Sequence, residues 1–139
     1  MAIYEVSKAQ KEEIKEKITI LLKKREEIVF AYLHGSFLGD SFRDIDIAAY
    51  LTERSKDGIL QYELNLESEL KDFIGFPVDA RILNYAPLSF RFNVLKNGIL
   101  LFSRDEKVRC DFECLSIVEY HDFDFLRRTY RKEALGIKV

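Results

Sequence analysis

The segment Asp44-Ile-Asp-Ile-Ala-Ala-Tyr-Leu51 constrains this chain more than any other. Read as a strand, its alternation puts Asp44 and Asp46 on one face and Ile45 and Ile47 on the other. The run Ile28-Val-Phe-Ala-Tyr-Leu-His34, apolar, short and rich in β-branched and aromatic residues up to Gly35, reads as a buried strand. Between the two lie Gly35-Ser36 and the polar stretch Gly39-Asp-Ser-Phe-Arg43.

The flanking elements follow from spacing. Ser7 and Gln10 form a capping box ahead of Ile14, Ile18, Leu21 and Leu22, which recur at helical intervals. From Lys56 to Gly75 a second helix places Ile59, Tyr62, Leu66, Leu70 and Phe73 on one face, and Gly75 with Pro77 closes it. Val78-Asp-Ala-Arg-Ile-Leu83 reads as a third strand. Pro87 opens a short helix in which Leu88, Phe92 and Leu95 share a face, and Ile99-Leu-Leu-Phe102 follows as a fourth strand. Ser103 and Glu106 are read as another capping box, before a final helix that turns Val108, Phe112, Leu115 and Val118 inward and runs to about Leu135. The expected organisation is one domain over 1–139: an N-terminal helix at about 7–27, a core at about 28–104 and a C-terminal helix at about 105–135. Helices interleaved with strands imply a mixed sheet with flanking helices in two or three layers, its strand order left open.

Composition bounds the partners. Lys+Arg 22 against Asp+Glu 24 gives a net charge of -2, without the basic excess that long nucleic acid demands. No apolar run approaches a membrane span and the N-terminal stretch lacks a signal-type apolar segment, so a soluble, cytoplasmic protein is expected. Cys110 and Cys114, four apart with no companion ligands nearby, are expected to be packing residues.

Chemistry gathers around the acids. Carboxylates at i and i+2 of a strand project from one face with their Cα atoms roughly 6–7 Å apart, close enough to share divalent cations. Alone, the pair is more readily a polar, solvent-facing strand edge. Gly35-Ser36 shifts the balance, because glycine after a buried strand lets backbone approach phosphate and a following helical turn offers free N–H groups. Asp79 adds a third acid, on the strand face opposite Val78, Ala80 and Ile82. Three carboxylates on neighbouring strands, completed by phosphates and water, suffice for Mg²⁺.

The string Gly35-Ser-Phe-Leu-Gly-Asp-Ser-Phe-Arg-Asp-Ile-Asp46 resembles the glycine-serine, spacer, Asp-x-Asp signature of the polymerase β nucleotidyltransferases. The stretch from Pro77 to Asp105 resembles the minimal nucleotidyltransferase (MNT) antitoxins of the MntA type, and the resemblance covers nearly the whole chain. It implies an α+β fold of polymerase β-like type and a site in which Gly35 and Ser36 hold the triphosphate of ATP. In that site Asp44 and Asp46 bind metal, with two Mg²⁺ ions implied, and Asp79 completes the ledge beside the attacking hydroxyl. It further implies a protein acceptor, a tyrosine on a HEPN-family (HepT) ribonuclease toxin. The toxin's own signature, Arg, four residues, His, one residue, Tyr, is absent here, so the chain corresponds to the antitoxin half. The seven residues between Ser36 and Asp44 are fewer than in many MntA-like proteins, which implies a trimmed loop. Two other functions stay open: a module that masks the toxin by binding alone, and a transferase acting on a small molecule, for which a second domain would be expected.

Other residues have plainer readings. His34 ends a strand and is expected to be packed or hydrogen-bonded. His121 lies in an acidic run and is expected on a solvated helix face. Arg43 is read equally as a nucleotide contact and as surface charge, and Arg81, on the Asp79 strand face, as a support for that acid. The cluster Arg127-Arg-Thr-Tyr-Arg-Lys132 suits the end of a helix through its dipole. Phe 11 and Tyr 7 exceed the needs of a small core, so some rings are expected at a protein interface.

Overall fold

The computed structural model describes residues 2–134. Helix α1, Lys8–Lys23, begins with the expected capping box: the Gln10 N–H donates to Ser7 Oγ at 3.1 Å and the Ser7 N–H to Gln10 Oε1 at 2.9 Å. It ends earlier than about 27, because 24–27 turn the chain into β1, Ile28–His34. A 3₁₀ turn, Gly35–Leu38, and a loop lead to β2, Ile45–Leu51. Helix α2, Ile59–Ile74, starts after Gly58 rather than at Lys56 and ends on Gly75, whose φ of 80° is the left-handed C-cap that glycine adopts without strain. Then come β3, Val78–Ile82, α3, Leu88–Asn97, β4, Ile99–Ser103, and α4, Glu106–Ala134.

The strands form one mixed sheet in the order β3-β2-β1-β4, with β1 antiparallel to β2 and β4, and β2 parallel to β3. Helices cover both faces. On one, Ile14, Ile18 and Leu22 of α1 and Tyr62, Leu66 and Leu70 of α2 pack on Leu33, Ile47, Ala49 and Ile82. On the other, Val94 of α3 and Phe112 of α4 meet Phe30, Tyr32 and Ala48. Double coverage explains why all seven residues of β1 are buried, and why β1 lacks alternation. The architecture is α+β, as expected.

β3 lies at the sheet edge, where free backbone N–H groups would invite another strand. Two side chains of α2 occupy them: the Ala80 N–H donates to Glu67 Oε1 at 3.1 Å and the Ile82 N–H to Glu63 Oε2 at 2.8 Å. Those two N–H groups bracket Arg81 and follow Asp79, so α2 fixes the strand that carries the third acid.

Several expectations are corrected. The Ser103–Glu106 box is not formed; Ser103 stays in β4, and Asp105 caps α4 by accepting from the Val108 N–H at 3.1 Å. On α4, Val108 and Phe112 pack inward, but Leu115 and Val118 are 55% and 56% exposed, and the buried position is Ser116. The stripe 108, 112, 116 and 120 follows i+4 spacing, and α4 meets α3 through Tyr120, which stacks on Phe92 at 3.9 Å. Cys110 and Cys114 are exposed and free, on the outer side of the same helix, so they are not packing residues. Phe73 is also exposed, with Ile74 packing in its place. In α3 the residues packed toward the sheet are Phe90, Val94 and, as expected, Leu95, while Phe92 faces α4. Leu135, where the last helix was expected to end, lies outside the described residues.

Candidate metal centre and phosphate turn

β2 and β3 pair in parallel register with Asp46 opposite Asp79, and β1 and β2 pair with His34 opposite Asp46. Asp44 sits just before β2, on the same side. The sheet thus brings Asp44, Asp46 and Asp79 together from segments far apart in sequence: one carboxylate oxygen from each lies within 4.8 Å of the others. All three acids expected from the sequence converge, and they are half-buried on the sheet face that also carries α3 and α4.

The electrostatics of this ledge are one-sided. Burial, then the charges of Asp44 and Asp79, push the Asp46 carboxyl from its ordinary 3.8 up to about 6, against a smaller opposing pull from Arg81. Arg81 Nε donates to Asp79 Oδ1 at 3.2 Å, the support expected of it, and is more than half exposed. Three oxygen donors crowded until one resists ionisation match the demand of a hard divalent cation, whose charge would relieve the crowding. The residues therefore fit Mg²⁺.

Beside the acids, the chain leaves β1 at Gly35 with φ 78° and enters the 3₁₀ turn Gly35–Leu38. A Cβ at Gly35 would overlap Asp46 Oδ2, so glycine is required twice, for its backbone conformation and for the approach of Asp46. Ser36 is exposed at the start of the turn, next to the acids. Phe37 is 2% exposed and anchors the turn in the core.

The loop between Ser36 and Asp44 is short and firmly held. Phe42 is buried in a cluster with Tyr4, Phe37 and Phe76, and the Tyr4 and Phe42 backbones exchange hydrogen bonds of 2.8 and 3.0 Å. That brace from the N-terminal segment has no sequence signal beyond the aromatic residues themselves. Arg43 is exposed.

His34 is packed, as expected, but not hydrogen-bonded. It is 8% exposed, lies edge-on to Phe90 at 5.5 Å, and its Nε2 has no hydrogen-bond partner among the described residues. Burial holds its pKa below the ordinary value, despite the nearby Asp79 charge. Phe90 therefore flanks the site, a placement that the choice of Leu88 and Phe92 for the packed face missed, while Leu95 does pack there. The i, i+4 pair Phe90 and Val94 was the available signal.

A mixed sheet that presents a three-carboxylate ledge beside a glycine-serine turn has the donor set that a divalent metal and a phosphate require. Residues 16–107 match the family model described as polymerase beta, nucleotidyltransferase, and the chain belongs to that family. Solved structures share its fold. A chain of the complex between tri-AMPylated Shewanella oneidensis HEPN toxin and MNT antitoxin superposes with a TM-score of 0.70 at 21% identity, over 90% of this chain and 98% of that one. A chain of the toxin-antitoxin MntA-HepT gives 0.69 at 20% identity, over 89% and 98%. A chain of a toxin-antitoxin with AMP-PNP gives 0.70 at 21% identity, over 87% and 98%. At these identities the likeness establishes the fold. No curated protein sequence compared with the chain matches it.

Proposed function

We propose that this chain is a Mg²⁺-dependent nucleotidyltransferase of the MNT antitoxin type, transferring AMP from ATP to a tyrosine of a HEPN-family toxin. The observation that carries the reading is the meeting of Asp44, Asp46 and Asp79 carboxylate oxygens within 4.8 Å, on adjacent strands beside Gly35-Ser36. The solved relatives add a complex whose toxin is AMPylated and one with AMP-PNP, which supports the choice of nucleotide and acceptor.

Each residue has a distinct task. The 3₁₀ turn offers backbone N–H groups and the Ser36 hydroxyl to the β- and γ-phosphates, and Gly35 lets them come close. Asp44 and Asp46 would hold two Mg²⁺ ions, with Asp79 sharing one. Bound there, the metals would supply charge neutralisation at the phosphates. Asp79 stands on the far side of the acid pair from the phosphate turn, where an attacking hydroxyl would lie in line with the pyrophosphate leaving group. The tyrosine oxygen forms the new bond to the α-phosphorus, the α–β phosphoanhydride bond breaks, pyrophosphate departs, and the phenolic proton passes to the Asp79 carboxylate. Arg81 holds that carboxylate in orientation.

No helix of the described residues is long and apolar enough to cross a membrane. The decisive experiment is transfer of label from α-labelled ATP to a co-purified HEPN protein in Mg²⁺. Neutralisation of the toxin that persists without ATP and Mg²⁺ would instead mean masking by binding alone.

A further inference from the structure

On α1 the buried stripe Ile14, Ile18 and Leu22 extends back by helical spacing to Lys11. A lysine at the head of an apolar stripe is accommodated when its stem packs on apolar surface and its ammonium finds a separate partner. Both conditions are met. The half-buried side chain lies over Phe37, with Nζ 5.4 Å from the ring centroid, and Nζ donates to the Gly39 carbonyl. The first turn of α1 thus reaches the loop that follows the Gly35-Ser36 turn.

Gly39 closes that turn. Its N–H donates to the Ser36 carbonyl at 2.9 Å, and its own carbonyl is the one that Lys11 holds. A planar trans peptide points its C=O and N–H in opposite directions, so the bond that fixes the Ser36 carbonyl also fixes the Phe37 N–H, which points back toward the open start of the turn. A 3₁₀ turn of four residues has few bonds of its own with which to keep that aim. The N-terminal segment supplies two from outside: Lys11 at Gly39, and the Tyr4–Phe42 backbone pair at the other end of the same loop. Phe37 is held between the core and the Lys11 stem, which couples the side chain of the turn to the same anchor.

We infer that Lys11 is a positioning residue for the triphosphate: it holds the exit of the phosphate turn from behind, so that Ser36 and the Phe37 N–H stay aimed at the ligand, and it acts through the Gly39 carbonyl without touching the nucleotide. The inference rests on the transferase reading, in which Gly35 and Ser36 hold the triphosphate of ATP, and adds to it the residue that keeps their turn in shape.

Three variants separate this role from its alternatives. Lys11→Met keeps the stem over Phe37 and removes the donor, Lys11→Arg keeps stem, charge and donor, and Lys8→Met removes a charge from an exposed position in the same first turn of α1. Each is measured for calorimetric binding of AMP-PNP with Mg²⁺, in the absence of toxin, and for its melting temperature. We expect Lys11→Met to bind AMP-PNP about tenfold more weakly, the scale of one charge-assisted hydrogen bond, with a melting temperature within about 5 °C of the unaltered protein. Lys11→Arg and Lys8→Met should bind within about twofold of the unaltered protein. In label transfer the loss should appear in KM for ATP, with KM for the toxin unchanged. Equal AMP-PNP affinity in Lys11→Met and the unaltered protein overturns the inference and leaves Lys11 an ordinary surface lysine. A loss matched by Lys8→Met overturns it in favour of net charge, and a loss that Lys11→Arg does not recover overturns it as well. If the unaltered protein binds no AMP-PNP, the transferase reading itself fails, and the role of Lys11 falls with it.

Discussion

Asp46 and Asp79 are direct partners across the parallel β2–β3 pair, so that two acids from strands separated by the whole of α2 face each other without any loop between them. Their closeness has a thermodynamic cost in the absence of metal. The folded-state pKa of Asp46, about 6, lies above its ordinary 3.8, so its contribution to stability is full below about pH 4 and is lost as pH rises through 6. We expect metal-free Asp46→Asn to be more stable than the unaltered protein at pH 7.5, by on the order of 1–3 kcal/mol, and the gap to close toward pH 4. Mg²⁺ should raise the melting temperature of the unaltered protein and leave that of Asp46→Asn nearly unchanged. Thermal melts at pH 4, 6 and 7.5, with and without Mg²⁺, check both statements.

Gly35→Ala should disable the site while leaving most of the fold. The new methyl group meets Asp46 and sits on backbone with φ 78°, a combination that costs roughly 1–2 kcal/mol in conformation alone. The expected result is near-wild-type helical circular dichroism with transfer activity reduced at least about a hundredfold, as positioning effects of this kind allow. An alanine variant with unimpaired transfer would mean that phosphates do not approach this turn.

The edge of the sheet offers a separate test. Removing Glu63 and Glu67 together leaves the Ala80 and Ile82 N–H groups without their carboxylate partners. We expect the double alanine variant to lose about 1–3 kcal/mol of stability and to self-associate, seen by denaturant melts and sedimentation velocity.

Phe42→Ala probes the brace of the short loop. Phe42 is 1% exposed among Tyr4, Phe37 and Phe76, and its truncation should cost about 3–5 kcal/mol. Because the same loop leads into Asp44, Mg²⁺ binding should weaken in parallel, measurable by calorimetry on protein kept folded at low temperature.

How much of this was legible in the sequence depended on how local the signal was. The Ser7–Gln10 box, the helical stripe Ile14, Ile18, Leu21 and Leu22, and the limits of β1 are short-range patterns, and the structure reproduces them. The shared face of Asp44 and Asp46 was also legible, because strand alternation decides which face each acid occupies, whereas Asp79 joins them only through the pairing of β2 with β3. The strand order was not, since β-pairing joins segments by register and not by nearby residues. The inward face of α4 was misread for a related reason. Its apolar residues run around the helix, and only the crossing against α3 selects Ser116 and Tyr120 over Leu115 and Val118. Cys110 and Cys114 follow the same rotation to the outside. The exposed Phe123, Phe125 and Tyr130 near the end of α4 agree with the surplus of rings noted in the sequence.

The most direct test of the account is label transfer from α-labelled ATP to a HEPN toxin by the unaltered protein and by Asp79→Asn in the presence of Mg²⁺, with both proteins shown to be folded. We expect tyrosine-linked AMP on the toxin with the unaltered protein and at least about a thousandfold less with the variant, the scale on which an essential group at a reacting centre acts. Equal labelling by the two proteins would contradict the account.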